Sequence, residues 1–272
     1  MLPTNPSIKS QLHTMELRDF ALLILTSADL EDKLFTPDRL TDFNPGTPFF
    51  IDTPVRSEEM QFKRHSKEEK LPTFKDHSSE EKRAICLHRF CGHELLAVEI
   101  MAYALLQFPE APKPFRRGLA NTLIEEQHHV KIYKKRLEEM GLKFGDLPLY
   151  KHFWKHIPYL KSPENYLSMM SLTFEMANLD FAPLYRDSFI RHGDLESAKL
   201  MQTIIDDEIG HVSFGLGWMQ KMNVEKKEPY IFYKENLPEL LDAKRSKGFV
   251  FQEELRKKAG VPESWIQELK KL

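Results

Sequence analysis

The stretch Ala120–Tyr133, ANTLIEEQHHVKIY, sets two adjacent glutamates and two adjacent histidines inside an apolar helical pattern. It contains two overlapping pairs with a spacing of three residues, Glu125 with His128 and Glu126 with His129. Either spacing places a carboxylate and an imidazole on one face of a helix, close enough to share a metal ion. The alternative interpretation is the charged, solvent-facing side of a helix.

The apolar positions of this helix favour the second pair. They recur at spacings of three, four or seven residues, at Leu119, Leu123, Val130, Tyr133 and Leu137. Glu126 and His129 fall on this stripe, whereas Glu125 and His128 are predicted to lie on the outer face and to be dispensable for metal binding. A buried glutamate is unfavourable unless it is paired or bound to metal, so partners are expected elsewhere in the chain.

A matching pair occurs in IIDDEIGHVSFG, where Glu208 and His211 share the same spacing and fall on another apolar stripe. One inward glutamate precedes each pair at a similar distance. Glu94 lies 32 residues before Glu126, and Glu175 lies 33 residues before Glu208. An internal repeat of two helical hairpins explains both arrangements, and antiparallel packing would bring the four helices to one level.

The predicted metal ligands are therefore Glu94, Glu126, His129, Glu175, Glu208 and His211. Glu99 and Asp180 each follow an inward glutamate by five residues and are expected, with Asp207, to support the ligands from behind. The alternative is a buried hydrogen-bonded network that holds no metal.

The helix signals predict an all-α protein in three parts. Residues 79–223 are predicted to form a ferritin-like four-helix bundle with one long crossover, because two helical hairpins flank a connection of about twenty residues. Residues 1–78 are expected to form an N-terminal helix and an extended arm packed on the bundle, with a disordered linker as the alternative for 37–75. Residues 224–272 are expected to form a C-terminal helical tail. Pro183 is expected to kink the third helix.

The composition excludes several other classes of protein. Hydrophobic residues make up 41% and charged residues 29% of the chain, and the net charge of -2 gives no strong signal for nucleic acid. Two cysteines indicate reduced thiols rather than a disulfide framework. No apolar run is long enough to span a membrane, and MLPTNPSIKSQ lacks the apolar core of a secretion signal, so a cytoplasmic protein without membrane partners is expected.

The chain also resembles a bacterial ferritin-like family of unknown function, within the superfamily of dimetal carboxylate proteins. The matching stretches are LHRFCGHELLAVE, EEQHHVKIYKKRLEEMG, FGDLP, DDEIGHVSFG and GFVFQEELRKKAGVPESWIQEL. The resemblance implies E-x-x-H pairs at Glu126 with His129 and at Glu208 with His211. The family usually carries a histidine where Gly92 stands in this sequence.

Four carboxylates and two histidines suit two iron or manganese ions, with zinc as an occupant in purified samples. The predicted function is an oxygen- or peroxide-dependent oxidase or hydroxylase that acts on an unidentified small-molecule or tethered substrate. An electron donor and a second copy of the chain, forming a homodimer, are further candidate partners. The alternatives are a non-enzymatic protein that handles iron or peroxide, and a structural bundle clamped by metal.

Overall fold

The computed structural model describes residues 14–63 and 70–272, and within them the protein is mostly helical. Strand within these ranges is confined to β1 (Thr14–Glu16) and β2 (Arg39–Thr41), which pair in parallel. The predicted all-α class is therefore confirmed. The N-terminal stretch that lacked a secretion signal, residues 1–11, lies outside the described residues.

The N-terminal region contributes two short helices, α1 (Leu17–Thr26) and α2 (Leu30–Lys33). Helix α1 corresponds to the N-terminal helix predicted within residues 1–78. Its buried residues join the main hydrophobic core, because the helix packs against the first long helix of the chain.

Long helical segments form the body of the described structure. They are α3 (Glu80–Gln107), α4 (Lys113–Glu139), a third segment made of α5 (Pro163–Met169), a π-helical stretch (Met170–Glu175) and α6 (Met176–Arg191), and finally α7 (Leu195–Met222). Helix α3 packs along α4, α6 packs along α7, and α4 also contacts α7. The two hairpins thus enclose a common buried interior.

The ends of these helices follow their sequence signals. The Ser162 side chain accepts a hydrogen bond from the Asn165 amide, and that of Asp194 accepts one from the Ser197 amide, so both cap a helix N-terminus. Gly193 follows the end of α6 with a φ of 76°, a left-handed conformation that glycine adopts without strain.

The third helical segment departs from the predicted continuous helix. Helix α6 runs through Pro183, and the irregular turn lies upstream, in the π-helical stretch that ends at Glu175. Within this stretch the Thr173 hydroxyl donates to the Ser168 carbonyl at 2.7 Å. A Cβ atom at Gly215 of α7 would clash with the Ser171 Cβ, so glycine permits the close approach of the two helices. The π-helical stretch determines where Glu175 enters the interior.

The C-terminal region folds back over the third segment. It contains α8 (Pro229–Glu235), a 3₁₀ turn (Ala243–Ser246), α9 (Glu253–Lys258) and α10 (Glu263–Lys271). Within the described residues, no helix is both long enough and apolar enough to cross a membrane.

Candidate metal centre

The six residues predicted as ligands are all buried, and they converge between the long helices. Two groups of three have ligand atoms that lie within 4.8 Å of one another. One group is Glu94, Glu126 and His129, and the other is Glu126, Glu175 and His211. Glu126 therefore lies between two potential metal positions, as a carboxylate with two oxygens can.

The contacts of Glu126 are evenly divided between the two histidines. The Nδ1 atom of His129 lies 3.2 Å from one Glu126 oxygen, and the Nδ1 atom of His211 lies 3.2 Å from the other. The His211 Nδ1 atom also lies 3.5 Å from Oε2 of Glu208, but it has the alignment of a hydrogen bond with neither carboxylate. Nδ1 of His211 therefore points between two carboxylates.

Several polar atoms of the centre are buried and lack a hydrogen-bond partner within the described residues. They are both carboxylate oxygens of Glu175, Oε2 of Glu208 and Nδ1 of His211. Glu208 is held by its other oxygen, which accepts a hydrogen bond of 2.7 Å from the Asn178 amide. Buried polar atoms are rarely left unpaired. These atoms can therefore donate lone pairs to a proton or to a metal ion.

Burial favours the protonated forms of three of the carboxyl groups. Desolvation raises the pKa of Glu94 well above its usual range, and the neighbouring Glu126 raises it further. Desolvation also raises the pKa of Glu175 to about 8 and raises that of Glu208. No lysine or arginine forms an ion pair with any of the six residues in the described chain.

For Glu126 and the two histidines, the surroundings favour the charged forms instead. Burial opposes the charge of Glu126, but the nearby charges of His129 and His211, together with the hydrogen bond from His129, outweigh it and lower the pKa of this carboxyl. Burial also opposes protonation of His129, yet Glu126 and Asp207 raise its pKa to about 9. Surrounding carboxylates likewise raise the pKa of His211. Without a metal ion, protons on the imidazoles balance the charge, and a bound cation would replace them.

The outward nitrogen of each histidine meets a carboxylate from the opposite helix. Asp207 of α7 lies 3.0 Å from Nε2 of His129, and Glu125 of α4 lies 2.9 Å from Nε2 of His211. Each acid directly precedes the glutamate of its own E-x-x-H pair. Such carboxylates fix the tautomer and the ring orientation of a metal-binding histidine.

Glu125 is the site residue that sequence reasoning missed. It is exposed on α4, as predicted, but its carboxylate reaches across to His211. The signal was present in the sequence, because Glu125 occupies the same place in the repeat as Asp207. His128 is exposed, in agreement with its predicted outer position.

Within the described residues, the side chains of Glu99 and Asp180 form their hydrogen bonds and ion pairs with groups other than the predicted ligands. Glu99 forms ion pairs with Arg56 at 2.6 Å and with Lys33 at 3.1 Å. Asp180 pairs with Arg256 at 2.5 Å. Both carboxylates are fully buried, and each anchors a segment that lies outside the two hairpins rather than supporting a ligand.

The comparisons with known proteins indicate an uncharacterised family. The family model described as protein of unknown function (DUF455) matches residues 20–267. The chain belongs to this family. It is similar to an uncharacterized protein of Haemophilus influenzae, with 23% identity over 157 residues. The alignment covers 55% of the chain and 54% of that relative, so the chain spans about half of the relative's length. No solved structure matches the chain significantly.

A small cavity adjoins the carboxylates of this DUF455 member. Its volume is about 50 Å³, enough for water-sized molecules, and we call it the inner cavity. Its polar lining includes Glu94, Glu126, Glu175 and Glu208, and the rest is largely apolar and aromatic. Carboxylate oxygens and imidazole nitrogens are ligands that suit iron, manganese and zinc, so the donor set and its unpartnered atoms fit a metal centre.

Proposed function

We propose that this protein is a ferritin-like dimetal carboxylate protein that acts as an oxygen- or peroxide-dependent oxidase or hydroxylase. The observation that carries the proposal is the pair of buried triads that share Glu126 and with which no lysine or arginine of the described chain forms an ion pair. In bundles of this class, each of two helices supplies a glutamate, and each of the other two supplies an E-x-x-H pair. Glu94, Glu175 and the two E-x-x-H pairs match that scheme.

The predicted ligands divide between two metal positions. Glu94 and His129 would hold one ion, Glu175 and His211 the other, and Glu126 would lie between them. Glu208 would complete the second position with its unpartnered oxygen. Two iron or manganese ions held there supply two-electron redox chemistry with dioxygen or peroxide.

The protein groups around the centre control protons and water. Asp207 and Glu125 hold a proton on the Nε2 atoms of His129 and His211, which leaves each Nδ1 atom facing the interior. Carboxyl groups with a raised pKa release their protons when a cation binds, so loading is favoured as pH rises. The aromatic lining of the inner cavity, which includes Phe153 and Phe174, limits the access of water.

Metal content tests the proposal first. Protein purified without oxygen is expected to hold about two metal ions per chain, as a two-metal site requires. Glu126→Ala and Glu208→Ala should remove them, while His128→Ala should retain them because His128 is exposed beside a ligand. A wild-type protein that binds no metal on reconstitution with iron, manganese or zinc would refute the dimetal assignment.

Oxygen consumption then separates an enzyme from the alternatives. With an added chemical reductant, a loaded oxidase is expected to consume oxygen over many cycles per centre. A single cycle per centre would indicate iron or peroxide handling. No consumption, together with loss of thermal stability on chelation, would indicate a structural clamp.

A further inference from the structure

A second cavity adjoins the inner cavity and extends toward solvent. Its volume is about 400 Å³, and we call it the outer cavity. Both cavities are lined by the rings of Phe90, Phe153, Phe174, Phe181 and Tyr185. Because the walls are shared, a molecule in the outer cavity would lie against the rings that surround the carboxylates. The volume falls within the range typical of small-molecule sites.

The solvent side of the outer cavity is cationic. Lys244, Arg245 and Lys247 line it, and all three come from the C-terminal region. Lys247 donates to the Leu269 carbonyl at 2.9 Å, whereas Lys244 and Arg245 are exposed. Across residues 14–63 and 70–272, no carboxylate forms an ion pair with either Lys244 or Arg245. Two uncompensated cations at the entrance of an aromatic cavity favour an anion there.

His93 adds a polar group where the two cavities meet. It lines both, and its ring stacks on that of His152 with centroids 4.9 Å apart. The Nε2 atom of His93 is buried and has no hydrogen-bond partner in the described part of the chain. A few polar groups within an apolar cavity are typical of sites that orient a ligand.

The cationic entrance is held in place by Asp180. Its carboxylate accepts hydrogen bonds from the backbone amides of Gly248 at 2.8 Å and Gln252 at 2.6 Å. Arg256, paired with Asp180, also donates to the Ser246 carbonyl at 2.9 Å. A Cβ atom at Gly248 would lie 2.9 Å from the Asp180 Cβ, so this approach requires glycine. Asp180 thus fixes the segment that carries the basic residues, which is preorganised for binding.

We propose that the outer cavity binds the substrate, and that this substrate is a small organic anion with an apolar body the size of a ring. Lys244 and Arg245 bind its carboxylate or phosphate group at the entrance. The apolar body lies between the aromatic rings and extends past His93 toward the inner cavity. This inference rests on the proposed function for its catalytic meaning, but the binding site itself is independent of the metal ions.

Calorimetric titration with matched probes tests the inference. The charged probes are phenylacetate and benzyl phosphate, and the neutral probes are phenylacetamide and benzyl alcohol. We expect at least one charged probe to bind roughly tenfold more tightly than its neutral counterpart, because charge-assisted hydrogen bonds contribute to its affinity. The preferred charged probe distinguishes a carboxylate substrate from a phosphate ester. Affinity should fall as salt is added.

Variants at the entrance locate the binding. Arg245→Gln and the double variant with Lys244→Gln should weaken the charged probe by roughly tenfold or more, and should leave the neutral probe unchanged. Both residues are exposed, so these variants are expected to fold. Lys258→Gln is the matched control, because Lys258 is an exposed cation of the same region that does not line the cavity.

Three results would overturn the inference: no binding of any probe, neutral probes that bind as tightly as charged ones, or an Arg245→Gln variant with unchanged affinity. Metal content measured on the same samples distinguishes a failure of this inference from a failure of the proposed function. Arg245-dependent binding in a protein that takes up no metal on reconstitution would support the site and refute the dimetal assignment. A full metal complement without probe binding would support the dimetal assignment and refute the binding site.

Discussion

Two kinds of buried carboxylate lie on the same helical segments and have different surroundings. Glu94 and Glu175 converge on the candidate metal centre, where no lysine or arginine of the described residues pairs with them. Glu99 and Asp180 lie five residues further along the same segments, and each meets an arginine. Burial alone therefore does not identify a metal ligand. A carboxylate compensated by a guanidinium group is already satisfied, whereas an uncompensated one needs a proton or a metal ion.

The two compensated carboxylates also share a role. Glu99 holds Arg56, which precedes the first hairpin, and Asp180 holds Arg256, which follows the second. The internal repeat thus supplies one anchor for the N-terminal region and one for the C-terminal region. The same repeat position serves two different segments.

Removing an arginine from a compensated pair should have the largest effect on stability. Arg256→Met keeps much of the side-chain volume but leaves the Asp180 carboxylate buried without its cation. We expect the free energy of unfolding to fall by ~3–5 kcal/mol, as for other buried pairs that lose one partner. Chemical denaturation of metal-free protein measures this change.

Lys258→Met is the matched control, since Lys258 is an exposed cation of the same helix, α9. We expect its effect to stay within about 0.5 kcal/mol. Equal stability of the two variants would show that the Asp180 pair is no anchor, and the contrast between the two kinds of carboxylate would lose its basis.

The acids behind the histidines should have the next largest effect. Glu125→Gln and Asp207→Asn each remove a charge from Nε2 of one histidine and retain a polar side chain. We expect each variant to weaken metal binding by roughly 10–100-fold, the usual effect of such partners. Competition with a chelator of known affinity measures the change, and Asp206→Asn serves as the control beside Asp207.

Equal losses in the two variants would support the two-fold repetition of the centre. An effect of Asp207→Asn without any effect of Glu125→Gln would return Glu125 to the dispensable outer face that its position on α4 first suggested.

The sequence was sufficient for the features that depend on periodicity. The apolar stripe selects Glu126 and His129 over their neighbours, and the repeat finds Glu208 with His211 on another helix. Periodicity gives the face of a helix but not the segment that covers it. The partners of Glu99 and Asp180 come from regions with little periodicity of their own, so Arg56 and Arg256 could not be predicted as anchors.

Two further features depend on distances between helices. The Glu125 side chain is exposed, and its reach to His211 follows from how closely α4 approaches α7. The π-helical turn before Glu175 has no sequence signature comparable to a cap or a proline. It follows from packing, including the contact of Ser171 with the glycine at position 215.

Replacing an uncompensated buried carboxylate with an apolar side chain should raise the free energy of unfolding, whereas breaking a compensated pair should lower it. Glu175→Met removes two buried oxygens that lack hydrogen-bond partners in the described chain. In chelated protein we expect the free energy of unfolding to rise by about 1–2 kcal/mol, because a desolvation penalty is removed. The same variant should lose metal affinity. Denaturation of the chelated wild-type and variant proteins measures the sign of this change in the free energy of unfolding. A less stable variant would imply that Glu175 already has a partner.

The smallest predicted effect concerns His88, a buried base on α3 that remains neutral. Its Nε2 atom accepts a hydrogen bond from the Gly145 amide at 3.1 Å. Burial, aided by the charge of Arg89, lowers its pKa from 6.5 to about 4. Because the pKa in the folded protein lies below that of the unfolded chain, the contribution of His88 to stability is present above about pH 6.5. It is lost progressively as the pH falls toward about 4.

His88→Gln should therefore flatten the dependence of stability on pH within that window. At neutral pH the variant should be less stable by about 1 kcal/mol, the typical contribution of one hydrogen bond. The exposed His128→Gln variant should retain the wild-type slope. A slope unchanged by His88→Gln would mean that His88 binds protons equally in the folded and the unfolded chain, which the amide donor at Gly145 opposes.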